Sequence, residues 1–132
     1  MKSFELLSLA KEARESSYSP YSKFSVGAAL LACDGRVFLG CNVENASFTP
    51  TCCAERVAIF KAISEGVHDF EAIAVVGARG TQEAPFCSPC GVCRQVLSEF
   101  CGVNFRIILE DSAGAPVEMT LGDLLPHRFT LE

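Results

Sequence analysis

Long apolar runs are missing from this sequence. The longest, Val26 to Cys33, is the length of a strand and falls far short of the ~20 residues that a membrane-crossing helix needs. A basic stripe is missing too. The lysines and arginines are scattered and outnumbered, the formal charge is −5 and the isoelectric point is near 5.0, so the chain has nothing with which to grip a phosphate backbone. Histidine is scarce. His68 follows a glycine stop and His127 follows a proline, and both read as surface residues. Low-complexity segments, linkers and internal repeats are absent, as is the apolar N-terminal run of a secretion signal: Met1-Lys2-Ser3-Phe4-Glu5 places an acid early. These absences lead to the expectation of a cytoplasmic protein with neither membrane nor nucleic acid as partner.

What is present is an apolar chain with many cysteines. Its 132 residues suit one domain, 1–132, and the apolar share of 49% is high for a soluble domain, which fits either a large core or surface hidden in an oligomer. Among the eight cysteines, Cys33, Cys41 and Cys101 read as small buried hydrophobes. The other five fall in two clusters, Thr51-Cys52-Cys53-Ala54-Glu55-Arg56 and Cys87-Ser88-Pro89-Cys90-Gly91-Val92-Cys93-Arg94. In a cytoplasmic chain such clusters point to metal or catalysis rather than disulfides.

Hydrophobic spacing predicts helices over 3–16, 52–65 and 90–100, with a short helical turn at 121–125. Strands are predicted at 24–30, 36–43, 70–77, 105–109 and ending near 117, the first two joined by the Asp34-Gly35 turn and residues 80–89 left as loop. This α-β-β-α-β-α-β-β order implies a three-layer α/β/α sandwich around a mixed five-stranded sheet.

Each cysteine cluster lies where a loop enters a helix, and the positive end of the helix dipole favours a thiolate there. Zinc takes four ligands, and a catalytic site leaves one of them to water. Two cysteines three apart plus one from another helix make a three-sulfur cage, beside which Glu55 would serve as general base. Spacing alone leaves alternatives open. A closed structural site could recruit Cys52 or Cys87 as fourth thiolate, and a redox C-x-x-C pair also fits a helix entry. Cys52 and Cys53 point about 100° apart on a helix, so only one can face the site. Pro89 bars a continuous helix back through Ser88, which favours Cys90 with Cys93 over Cys87.

Cys53-Ala54-Glu55 and Pro89-Cys90-Gly91-Val92-Cys93 resemble the three-cysteine variant of the zinc deaminase pattern, in which a glutamate stands two residues beyond the first ligand and P-C-x-x-C supplies the rest. The likeness extends over essentially the whole chain to the small homotetrameric cytidine deaminases. Tyr21 to Leu30 is similar to their first strand, Gly40 to Ser47 to their nucleoside-binding segment, and Leu124-Leu125-Pro126 with Phe129 to their C-terminus.

The resemblance implies a cytidine deaminase-like fold, one zinc ion per chain on Cys53, Cys90 and Cys93, and hydrolytic deamination of cytidine and deoxycytidine in pyrimidine salvage. It implies Glu55 as proton shuttle, Asn42 and Glu44 on the ribose hydroxyls, Phe24 against the pyrimidine, and the Ala54 backbone and Ser88 carbonyl on the base edge and leaving amine. It further implies Arg56 as the cation that tempers thiolate charge, and Phe129 reaching a neighbouring subunit's site in a homotetramer. Phe48 departs from the pattern, standing where many relatives carry tyrosine. The competing readings are a deaminase of another amino-pyrimidine nucleoside and a non-catalytic zinc protein on the same scaffold.

Overall fold

A computed structural model describes residues 1–131. In chain order it contains α1 (Ser3–Arg14), β1 (Phe24–Ala32), β2 (Val37–Cys41), α2 (Ala54–Ser64), β3 (Phe70–Arg79), β4 (Gln82–Ala84), α3 (Gly91–Phe100), β5 (Arg106–Glu110), β6 (Pro116–Thr120) and α4 (Leu121–Leu124). The strands form one sheet in the order β2-β1-β3-β5-β6, with β4 added to the far end of β3. Among the described strands only the β3–β5 pairing, joined through α3, is parallel; the others are antiparallel.

The sheet is covered on both faces. Ala28, Leu30, Ile73, Val75 and Ile107 turn to α2 and α3, meeting Ala54, Ala58, Ile59 and Leu97. The alternate residues Ala29, Leu31, Ala74, Val76 and Ile108 turn to α1, meeting Leu6, Leu7 and Ala10. Each fully buried leucine or isoleucine in these layers contributes roughly 1.5–3 kcal/mol. Gly27 and Gly40 set how closely the helices approach. A Cβ on Gly27 would lie 2.0 Å from the Ala10 carbonyl oxygen, and one on Gly40 would lie 2.3 Å from that of Ala54. The helices therefore rest directly on strand backbone at these points. Among the described residues no helix is long and apolar enough to cross a membrane.

The expected layers and mixed sheet are present, with three differences. A sixth strand, β4, occupies part of the stretch read as loop, turned by Gly80 at φ +63°. Gln82-Glu83-Ala84 has no apolar alternation, so periodicity carried no sign of it. Tyr21 to Lys23 precede β1 rather than join it, since Lys23 sits at φ 60°. Finally, α2 begins at Ala54 and α3 at Gly91, leaving Cys53 and Cys90 as extended N-cap residues.

Candidate active site and metal centre

The N-termini of α2 and α3 meet at the end of the sheet where β1 begins and β3 finishes. Cys53 and Cys90 hold equivalent cap positions, with ψ of 155° and 171°, and neither side chain caps its own helix. Both sulfurs are therefore free to turn toward a common point. Cys93 joins them from the first turn of α3, fully buried. The Cys53 and Cys90 sulfurs are 4.0 Å apart, those of Cys90 and Cys93 are 3.6 Å apart, and all three ligand atoms lie within 4.8 Å of one another. Zinc–sulfur bonds of 2.3 Å in tetrahedral array put sulfurs about 3.8 Å apart, so the cluster fits one zinc ion with a fourth position to spare.

Two further thiols stay outside this cluster. Cys52 exchanges backbone hydrogen bonds with Val43, and burial raises its thiol above the ordinary range. Cys87 sits in the loop before α3, and burial pushes it up to about 12. Neither sulfur belongs to the group of ligand atoms that lie within 4.8 Å of one another, so neither is placed to close a four-thiolate cage.

Charge around the sulfurs is arranged for anions. Hydrogen bonding from Cys93 and from Arg56 lowers Cys53 to about 5, while Cys93, holding the proton of that pair in a buried position, is raised. Arg56 Nη2 donates to the Cys53 sulfur and to the Thr51 carbonyl, each at 3.4 Å. Arg56 Nε is buried without a partner among the described residues, and the nearby thiolate holds the guanidinium firmly charged. Three thiolates with one dication sum to −1, and this guanidinium together with the two helix N-termini offsets the excess.

Glu55 occupies the first turn of α2 and is 4% exposed. Desolvation, reinforced by the charge of Cys53, raises its carboxyl to about 7. A carboxyl poised there accepts and returns protons near neutral pH.

Phe24, Asn42, Glu44, Ala54, Glu55 and Ser88 all line one cavity of about 310 Å³, whose wall also includes Cys53 and Cys90. Asn42 is largely committed to the protein: its Oδ1 accepts from the Val26 N–H at 2.9 Å and from the Ser17 hydroxyl, and its Nδ2 donates to the Phe24 carbonyl at 2.8 Å. One amide hydrogen remains for a ligand. Glu44 accepts from the Tyr21 and Ser22 N–H groups at 3.0 and 3.1 Å and from the Ser22 hydroxyl, which keeps its carboxyl below the usual range. Ser22 is thus a site residue that the sequence reading passed over as strand. Phe129 is not part of this cavity. It is 65% exposed, its carbonyl accepts from Gln95 Nε2, and Arg128 anchors the tail to the Ser98 and Cys101 carbonyls. A larger hollow of about 390 Å³, beside Cys33 and His68, lies at the other end of β1, and among the described residues no three metal ligands converge there.

Residues 2–108 match the family model described as the cytidine and deoxycytidylate deaminase zinc-binding region. The chain belongs to this deaminase family. It is 50% identical over 128 residues to a cytidine deaminase of Sporosarcina psychrophila, covering 97% of this chain and 91% of that one. It is likewise 50% identical over 127 residues to that of Halalkalibacterium halodurans, covering 96% and 93%. Among solved structures, the cytidine deaminase of Burkholderia pseudomallei superposes with a TM-score of 0.88 at 46% identity, covering 98% of this chain and all of that one. The Mycobacterium tuberculosis cytidine deaminase gives 0.80 at 42% identity, covering 96% of each chain. The three-sulfur cluster is consistent with one zinc site and lies on the cavity that Glu55 also lines.

Proposed function

We propose that this protein is a zinc-dependent hydrolase that deaminates free cytidine and deoxycytidine, taking up water and releasing ammonia to give uridine and deoxyuridine. The observation that carries the reading is Glu55: a buried carboxyl, raised to about 7, facing the same cavity as three convergent cysteine sulfurs. A non-catalytic zinc scaffold accounts for the sulfurs but not for that carboxyl. Membership of the family and the names of its half-identical relatives support the same substrate class.

Cys53, Cys90 and Cys93 would hold the zinc ion, whose positive charge would lower the pKa of water toward neutral. Glu55 takes the proton that water gives up and delivers it to ring N3. Protonation there draws electron demand to C4 and offsets the aromatic conjugation lost when C4 becomes tetrahedral. Glu55 then carries the proton of the new hydroxyl to the departing amine, so that C4 becomes a carbonyl as ammonia leaves. The Ala54 N–H, in the first turn of α2 where no helical acceptor exists, donates to the base carbonyl, and the Ser88 carbonyl accepts from the amine. The Phe24 ring covers the pyrimidine face. The free Asn42 amide hydrogen and the remaining Glu44 lone pair take the sugar hydroxyls.

Loss of absorbance near the cytidine maximum, on adding zinc-loaded protein, tests this directly; an unchanged spectrum overturns it. Glu44 is anionic and the chain carries net charge −5, so both oppose a phosphate. Cytidine is expected to be turned over far more efficiently than its 5′-monophosphate, and steady-state kinetics with equal kcat/KM on both would contradict the placement of Glu44.

The active form we assign is a cytoplasmic homotetramer in which Phe129 completes a neighbouring subunit's site. Support comes from the exposed Phe129 on an anchored tail, from further exposed aromatics such as Phe48, Phe60 and Phe86, and from cysteine clusters of the kind that point to metal rather than to disulfides. Sedimentation should give four copies of the 14.2 kDa chain. Truncation before Phe129 should lower activity more than thermal stability; a fully active monomer would exclude the assembly.

A further inference from the structure

Outside the cavity, one nearly buried cation joins the elements that build its wall. Arg14, in the last turn of α1, has a side chain 12% exposed. Its Nη1 donates to the Gly77 carbonyl at 3.3 Å and to Glu83 Oε2 at 2.9 Å, and its Nη2 donates to Glu83 Oε1 at 2.9 Å. The guanidinium is held more firmly charged, chiefly by Glu83, and the Glu83 carboxyl is lowered by Arg14, so the two partners agree on a mutual pairing. Beside them Lys11 pairs with the buried Glu110 at 2.5 Å, and the Glu110 carbonyl accepts from the Phe86 N–H at 2.8 Å.

These contacts converge on the active-site wall from behind. β4 is held to the sheet by only three residue pairs on β3, and the chain running on from Glu83 supplies Cys87 and Ser88 to the cavity and then Cys90 to the sulfur cluster. Gly77, whose carbonyl Arg14 holds, is the surface on which Phe24 and Cys87 rest. A Cβ there would lie 2.7 Å from the Phe24 ring and 2.8 Å from the Cys87 sulfur. Glu83 is 46% exposed, and an ion pair of that kind adds little to global stability. Its bidentate geometry instead fixes direction.

We propose that Arg14 is a positioning residue for the substrate cavity, fixing through Glu83 and Gly77 the segment 85–90 and the backing of Phe24. Arg14 itself lies outside the cavity and acts through the residues that line it. The inference rests on the deaminase reading for its kinetic consequence, while its structural half stands apart from activity.

The test uses full-length, zinc-loaded protein carrying Arg14→Gln, Glu83→Gln, both together, or Arg14→Lys. Arg14→Gln should raise KM for cytidine about tenfold, the value of one charge-assisted hydrogen bond, with zinc content unchanged and kcat nearly so. Glu83→Gln should raise KM less, because Gly77 keeps its donor. The double variant should be no worse than Arg14→Gln alone, and Arg14→Lys should fall between that variant and the parent. Hydrogen–deuterium exchange across residues 80–90 should quicken in Arg14→Gln while that of α2 does not. Should Arg14→Gln fail to fold, the KM and exchange of Glu83→Gln decide. Unchanged KM in an active parent background, or unchanged exchange at 80–90, overturns the proposal. Absence of turnover by the parent strikes the deaminase reading instead, and exchange still decides whether Arg14 holds the segment.

Discussion

Glu55→Gln is expected to yield a folded protein with one zinc per chain and cytidine turnover reduced by at least ~10²–10⁴-fold, the usual contribution of a general acid–base group. The change is nearly isosteric and removes a buried group that favours neutrality, so folding should not suffer. Glutamine fills the same space at the start of α2 but can neither take a proton from water nor return one to N3. Because one carboxyl serves several transfers, the loss should lie toward or beyond the upper end of that range. Arg56→Gln provides the contrast. Arg56 touches the Cys53 sulfur and no proton in transit, so its loss should be milder and should show as weaker zinc retention. Metal analysis beside kcat separates the two. More than a tenth of parental activity in Glu55→Gln, or equal loss in both variants, would contradict this division of labour.

Comparable losses are expected from the metal ligands, but with a different signature. Alanine at Cys53, Cys90 or Cys93 should abolish zinc binding, activity and part of the thermal stability together, because a metal that joins two helix N-termini contributes to folding. Alanine at Cys52 or Cys87 should leave one zinc per chain. The structure supplies the reason: the Cys52 backbone is tied to Val43, Cys87 sits in the loop before α3, and neither sulfur belongs to the three-membered cluster. Metal content of the five purified variants is the measurement. Zinc loss in Cys87→Ala with retention in Cys53→Ala would overturn the ligand set.

Much of this protein was legible before any coordinates. Helical and strand periodicity placed every helix and five of the six strands, because elements packed on both sides of a sheet must carry long apolar patterns. The chemistry was legible through spacing joined to the resemblance, since spacing alone left a closed four-thiolate site and a redox pair open. A C-x-x-C after proline puts two sulfurs within one helical turn, and a glutamate two residues past another cysteine keeps carboxyl and ligand at the same helix start. These are local facts, determined by covalent distance and helical geometry, and so they can be read from order alone.

What order could not express was convergence. The 4.0 Å approach of Cys53 to Cys90 depends on two helices landing side by side, and Gly40 sets how closely one of them rests on the sheet. The choice of Cys53 over Cys52 rested on the resemblance, and the extended cap at Cys53 gives it a structural reason that spacing does not show. Asn42 looked like a sugar ligand and is also a strut for the start of β1, since its side chain binds Phe24 and Val26. Arg14 and Glu83 gave no sign at all. They lie 69 residues apart, β4 has no apolar alternation, and only the fold brings them within 2.9 Å. The sequence by itself singled out the candidate groups, because residue identity, local spacing and the resemblance to a deaminase pattern are all carried by order along the chain. The tertiary structure decided which of them meet, which are desolvated and what holds them, because burial and distance between remote segments exist only once the sheet has closed around its helices.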